Sequence, residues 1–175
     1  RGRRQVLQLG YPDSGKDGGL VASRWAIHVA QQQLAATARS QAVHLTLFHG
    51  RGGAVSRGAA RTDVLVRSAP PGAFRGELRV TEQGEVVSHG YGLKPIAMRT
   101  FEQAFHALML ASTPAATARQ EDPEHHVVMR TFALASREQA AAVVVGMQAD
   151  PSFSRPPGHK DRRGFEDMLA LLAQL

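Results

Sequence analysis

The sequence predicts a helix-rich α/β fold with neighbouring parallel strands. Three observations point there. Apolar runs at Val6 to Leu9 and Val43 to Phe48 flank a segment, Gly18 to Arg39, in which Val21, Trp25 and Val29 recur at helical spacing. Strand, helix, strand at this separation is a βαβ unit, which makes the two strands parallel neighbours. Each strand also opens into a polar, glycine-bearing loop, at the end of the sheet where parallel α/β folds bind their ligands.

Taken in order, the first strand leads into Leu9-Gly10-Tyr11-Pro12-Asp13-Ser14-Gly15-Lys16-Asp17-Gly18-Gly19, and the second into Leu47-Phe48-His49-Gly50-Arg51-Gly52-Gly53, with Arg57-Gly58 just beyond. Pro70-Pro71-Gly72 is a turn. Leu78 to Val87 reads as a strand passing into a loop at Gln83-Gly84. Pro95 to Ala111 reads as a helix with proline in its first turn and Phe101, Phe105 and Leu108 on one face. Thr113 to Pro123 is a polar connector and Glu124 to Met147 an alanine-rich helix; Pro151, Pro156, Pro157 and Gly158 then break the pattern. Phe165 to Leu175 can form a terminal helix with nothing obvious to pack on, and no internal repeat is present.

A chain of 175 residues, 43% hydrophobic, suffices for one globular domain with a real core. No apolar run approaches the roughly 20 residues that cross a bilayer, and no basic-then-apolar signal opens the chain. A soluble, cytoplasmic protein is expected. Zero cysteines remove disulfide and thiolate chemistry. The net charge of +6 comes from clusters at Arg1, Arg3 and Arg4, at Arg51, Arg57 and Arg61, and at Lys160, Arg162 and Arg163, which favours anionic partners.

The candidate site residues follow from their chemistry. Asp13 offers the carboxylate oxygens that magnesium or manganese prefers; an aspartate in a turn before a helix also serves as a cap. His49, at a strand end, is expected to accept a proton near pH 7 without a large pKa shift. Arg51 and Arg57 carry guanidinium forks suited to phosphate and carboxylate, or form a solvated basic loop. Gly10 to Lys16 nearly spells a nucleotide P-loop. Asp17 stands where that motif needs a hydroxyl for magnesium, and its carboxylate repels phosphate.

These motifs, in this order, resemble phosphoenolpyruvate carboxylase. The family pattern reads G-Y-S-D-S-x-K-D-x-G, a helix with an internal tryptophan matched by Trp25, then L-x-L-F-H-G-R-G-G-x-x-G-R-G-G-x-P. Ala69-Pro70-Pro71-Gly72 and Leu78-Arg79-Val80-Thr81-Glu82-Gln83-Gly84-Glu85 match two further segments. The likeness covers residues 7–112, continues in helical form to residue 153 and is not expected from residue 154 on, so the organisation expected is a barrel segment over 1–112, a helical continuation over 113–153 and a divergent tail over 154–175. Pro12 replaces a family serine, Ser56 a glycine, and Ala59-Ala60-Arg61 a glycine-rich run ending in proline. Residues other than glycine resist the backbone angles of a closing loop, so these changes stiffen it.

The resemblance implies a parallel (β/α) barrel, of which this chain is a part too short to close, since a complete barrel takes about 250 residues. It implies an internal fragment or a truncated, partly degenerate copy. It also implies a carboxy-lyase joining phosphoenolpyruvate and bicarbonate into oxaloacetate, a tricarboxylic acid cycle intermediate, with release of phosphate. His49 stands 36 residues after Asp13, the family's spacing between its metal-binding aspartate and catalytic histidine. By the same resemblance Asp13 binds magnesium or manganese, and His49 assists carboxyphosphate breakdown and holds the carbon dioxide. Arg51 and Arg57 grip the anions, with Lys16 and Gln83 lining the site; the position of Arg57 also receives acidic feedback inhibitors. The family is homo-oligomeric. The family's upstream histidine and metal-binding glutamate and its downstream arginine segment have no match here, so the chain alone is expected to be inactive. Two other readings stay open: a small basic Arg-Gly module binding nucleic acid, which the 6% aromatic content disfavours, and a non-functional remnant.

Overall fold

The structure, a computed structural model, describes residues 2–11, 18–54 and 59–149, with side chains as far as residue 142. Strand β1 (Arg3–Gly10) is followed by helix α1 (Leu20–Ser40) and strand β2 (Val43–Gly50). Helix α2 (Thr62–Arg67) and the short strand β3 (Arg79–Thr81) come next. Helices α3 (Gly84–Tyr91), α4 (Lys94–Ala111), α5 (Pro114–Ala118) and α6 (Pro123–Ala149) complete the described chain. Among the described residues the strands form one parallel sheet in the order β1-β2-β3, which does not close on itself.

The expected βαβ unit is present, and its register positions the site. Leu9 pairs with His49 and Gly10 with Gly50, while His49 and Gly50 pair on the other side with Val80 and Thr81. Three carboxyl ends therefore finish level. Side chains on a strand alternate between faces, so Leu45, Leu47 and His49 share one face of β2 and all three are buried. Leu45 and Leu47 meet Val66 of α2, Ala107 of α4 and the loop residues Ala73 and Phe74 to form the core. Leu47 and Val66, each 2% exposed, contribute about 1.5–3 kcal/mol apiece by burial. The Pro70-Pro71-Gly72 turn closes with a bond from the Ala73 amide to the Pro70 carbonyl, and Gly72 sits at φ 77°, where a side chain is strained. That turn delivers Phe74 to the underside of the sheet's carboxyl edge.

Several expectations change. The first strand is expected to be buried, yet Val6 is 45% exposed, because it lies on the sheet face opposite Leu7 and Leu9, and only those two lean on the core. The strand expected over Leu78 to Val87 stops at Thr81, since its partner β2 ends at Gly50; a chain without a ladder partner turns instead into α3, with Glu85 in its first turn. On α1 the buried stripe is Ala22, Ser23, Ile27, Gln31 and Ala35 rather than Val21, Trp25 and Val29, because the helix packs against both β2 and α6. On α4, Leu108 reaches the core, whereas Phe101 and Phe105 are 60% and 64% exposed. The polar connector contains α5, opened by Thr113, whose hydroxyl accepts from the Ala116 amide. The breaks after Pro151 and the terminal helix lie outside the described residues. Among the described residues no helix is long and apolar enough to cross a membrane.

Candidate functional site at the strand ends

His49 is fully buried. The Phe74 ring stacks on its imidazole, with centroids 5.5 Å apart and planes inclined by 29°. Nδ1 lies 2.9 Å from the Tyr11 hydroxyl, one residue past the end of β1. Nε2 is buried and has no hydrogen-bond partner among the described residues. Burial, reinforced by the positive charge of Arg51, lowers the His49 pKa to about 4. The ring is therefore neutral at pH 7 and a poor proton acceptor, which corrects the expectation of an unshifted imidazole. Burial pushes the Tyr11 phenol up to about 12, although Arg24 and Arg51 pull the other way. The Arg24 guanidinium lies over the Tyr11 ring, 5.1 Å from its centroid.

Arg51 does not stand in solvent. It is 3% exposed, and its guanidinium is held from within the chain. Nη1 donates to the Ala60 carbonyl at 2.7 Å, and Nη2 donates to Glu82 Oε1 at 2.7 Å and to Thr62 Oγ1 at 3.3 Å. Thr62 in turn donates to the same Glu82 oxygen at 3.1 Å. The Nε of Arg51 is buried and has no partner among the described residues. The Gln83 amide, on an exposed residue, donates to the Arg51 carbonyl at 3.3 Å. Thr81 Oγ1 accepts from the Arg51 amide and donates to the His49 carbonyl, both at 3.3 Å, which ties β3 to the end of β2.

Of the residues singled out from sequence, the structure thus gathers His49, Arg51 and Gln83 at one edge. Asp13, Lys16 and Arg57 lie outside the described residues. Sequence reasoning missed Tyr11 and Glu82. A signal existed for each: Tyr11 directly follows the glycine that pairs with Gly50, and a buried arginine requires a counter-charge, which Glu82 supplies beside Gln83.

A second cluster forms around Glu121. His28 of α1 bonds Glu121 Oε1 at 3.0 Å, and His126 of α6 bonds Glu121 Oε2 at 2.9 Å. Trp25 stacks on His28 at 5.4 Å and meets the edge of His126 at 5.0 Å. The two imidazoles hold the Glu121 carboxyl below its usual value despite burial. No group of three or more His, Cys, Asp or Glu among the described residues is arranged to hold a metal ion.

A family model of phosphoenolpyruvate carboxylase matches residues 1–154. The chain belongs to the phosphoenolpyruvate carboxylase family. It is 49% identical over 112 residues to the phosphoenolpyruvate carboxylase of Xanthomonas oryzae pv. oryzae, covering 64% of this chain and 12% of that protein. It is 40% identical over 144 residues to phosphoenolpyruvate carboxylase 2 of Chlamydomonas reinhardtii, covering 82% and 12%. To the phosphoenolpyruvate carboxylase of Acinetobacter baylyi it is 37% identical over an alignment of 186 positions, covering 98% and 21%. The family match ends at residue 154, while the Acinetobacter alignment takes in nearly the whole chain. The chain spans about one-eighth to one-fifth of the length of these phosphoenolpyruvate carboxylases.

Proposed function

We propose that this chain supplies part of a carboxylation site that joins bicarbonate to phosphoenolpyruvate, giving oxaloacetate and phosphate. The observation that carries the reading is a pair of buried nitrogens without partners among the described residues, His49 Nε2 and Arg51 Nε, at the level carboxyl ends of three parallel strands. Buried polar atoms without partners are rare in folded chains, and a ligand oxygen satisfies such donors. The membership in the family supports the choice of ligand.

In this reading the open sheet is a portion of a (β/α) barrel, formed by residues 1–112 and flanked by the helices of residues 113–153. Arg51 sets a fixed positive charge beside the neutral His49 ring, in surroundings where electrostatic attraction exceeds its value in water. Arg57, Lys16 and Gln83 are proposed to contact the substrate anions, and Arg57 an acidic feedback inhibitor. Asp13 is the proposed carboxylate ligand of magnesium or manganese, which supplies Lewis-acid counter-charge when bound. The described residues do not by themselves fit such an ion, since no metal-holding group exists among them and Glu82 is already engaged by Arg51 and Thr62. A homo-oligomeric, cytoplasmic enzyme is the proposed setting, in keeping with the absence of cysteine. The burial of Arg51 argues against the alternative of a solvated Arg-Gly loop on nucleic acid, and Phe48 is covered by the Arg79 guanidinium at 4.9 Å rather than free to stack on a base.

The test is a graft. Residues 1–154 replace the matching segment of the Xanthomonas enzyme, and oxaloacetate is followed by its coupled reduction to malate with magnesium present. The isolated chain is expected to give no signal, the graft to give activity, and the graft carrying His49→Ala to lose at least about 100-fold, the scale of a positioned hydrogen-bonding group. An active His49→Ala graft contradicts the proposal.

A further inference from the structure

We propose that Tyr11 is a positioning residue: its hydroxyl donates to His49 Nδ1, places the ring proton on Nε2, and so makes His49 a fixed donor for a ligand oxygen. The proposal deepens the functional reading above and rests on it for the identity of the ligand. The Tyr11 oxygen and His49 Nδ1 are 2.9 Å apart, and both residues are buried. One hydrogen lies between them, and it belongs either to the phenol or to the imidazole.

If Nδ1 carried the proton and donated to Tyr11, two groups would be left without partners. The phenol hydrogen would need another acceptor, and none is present among the described residues; Arg24 approaches the ring face and offers no lone pair. The Nε2 lone pair would also be unmet, as that atom is buried and has no partner among the described residues. If the phenol donates to Nδ1, its hydrogen is satisfied and the single unmet group is Nε2–H. The second arrangement strands one buried group instead of two, so it is favoured. A doubly protonated ring is disfavoured at pH 7 by burial and by Arg51.

The consequence is chemical. A neutral imidazole with its lone pair taken by Tyr11 cannot serve as a base toward substrate. It can offer Nε2–H to a carboxylate, carbon dioxide or phosphoryl oxygen, with the ring plane fixed by stacking on Phe74. Buried donors held in advance toward an oxygen that gains negative charge stabilise it without reorganisation. Sequence alone leaves the histidine's tautomer open; the strand register that brings Tyr11 beside it decides the matter.

The experiment is long-range proton–nitrogen correlation NMR on the full chain labelled with 15N-histidine at pH 7, with the His49 signals assigned by their loss in His49→Gln. The expected pattern is a pyridine-like Nδ1 and a pyrrole-like Nε2. In Tyr11→Phe the donor is gone, and His49 is expected to shift toward a mixture of tautomers while the signals of His28 and His126 stay fixed. A pyrrole-like Nδ1 in the unaltered chain overturns the proposal, as does an unchanged tautomer in a folded Tyr11→Phe. If Tyr11→Phe does not fold, the unaltered chain's spectrum still decides. None of these outcomes depends on catalysis, so failure here leaves the graft result standing, and failure of the graft leaves the tautomer measured.

Discussion

Two clusters in this molecule combine histidine with a nearby carboxylate, one half-buried around Glu121 and one buried around His49, and they are built to opposite ends. Around Glu121, His28 and His126 each give a ring nitrogen to the carboxylate, Gln32 adds a weak third donor at 3.5 Å, and Trp25 packs against both rings. Around His49, one ring nitrogen is met by Tyr11 and the other by no partner among the described residues, and the Arg51 guanidinium keeps Nε unmatched there while Nη1 and Nη2 are both bonded. The first cluster is complete and joins α1 to α6 through the segment before α6. The second leaves two buried nitrogens without partners among the described residues, the feature on which the proposed anion site rests. Composition does not separate them; the difference lies in whether each polar atom has a partner within the chain.

The largest effect that can break this comparison comes from Glu82→Leu. It removes the counter-charge of a guanidinium whose side chain is 2% exposed, and losing one partner of a buried pair costs about 3–5 kcal/mol. Urea unfolding followed by circular dichroism measures it. A loss below about 1 kcal/mol, the level of a surface pair, means that Arg51 is solvated and the site is not enclosed.

Next in size is a pH effect. Because the His49 pKa is lowered to about 4 from 6.5, the unfolded chain takes up its proton first as the solution is acidified. The stability held by the neutral ring is fully present above pH 6.5 and is lost as the pH falls from there through about 4, by roughly 3 kcal/mol at 1.36 kcal/mol per unit. His49→Gln is expected to remove that part of the pH dependence. The lowered Glu121 carboxyl acts in a different window: its contribution is present above the ordinary glutamate value of 4.5 and disappears below it. An unfolding curve with no slope between pH 6.5 and 4.5 that depends on His49 sinks the assignment of a buried neutral ring.

Glu121→Gln should then cost about 1–2 kcal/mol, since hydrogen bonds to a charged acceptor are weakened but the amide still reaches one imidazole. Hydrogen exchange is expected to quicken in α6 and to stay unchanged in β2. The smallest effect is predicted for Phe105→Ser on α4, where the ring is 64% exposed: about 0.5 kcal/mol or less by the same unfolding assay.

The strand–helix–strand unit was legible because apolar runs and helical spacing are local properties, and His49 and Arg51 were legible from the glycine-rich strand ending. Burial was less so. Val6 is as apolar as Leu47, and only the packing of the sheet reveals that Leu47 lies on the covered face, with Leu7 and Leu9, and Val6 on the other. The stop at Thr81 follows from where β2 ends, which no pattern within Leu78 to Val87 contains. The depressed pKa of His49 needs Phe74, 25 residues further on, and Arg51 turned inward by Glu82. The Glu121 cluster joins residues 93 apart in sequence, beyond the reach of any local motif.

One measurement separates the two clusters most directly: titration of the folded chain with phosphoenolpyruvate at pH 7, read on the imidazole nitrogens of all its histidines. Movement of His49 Nε2, with His28 and His126 unmoved, is the expected result. A His49 signal that stays in place while the chain remains folded, or equal movement at all three rings, contradicts an anion site at the strand ends.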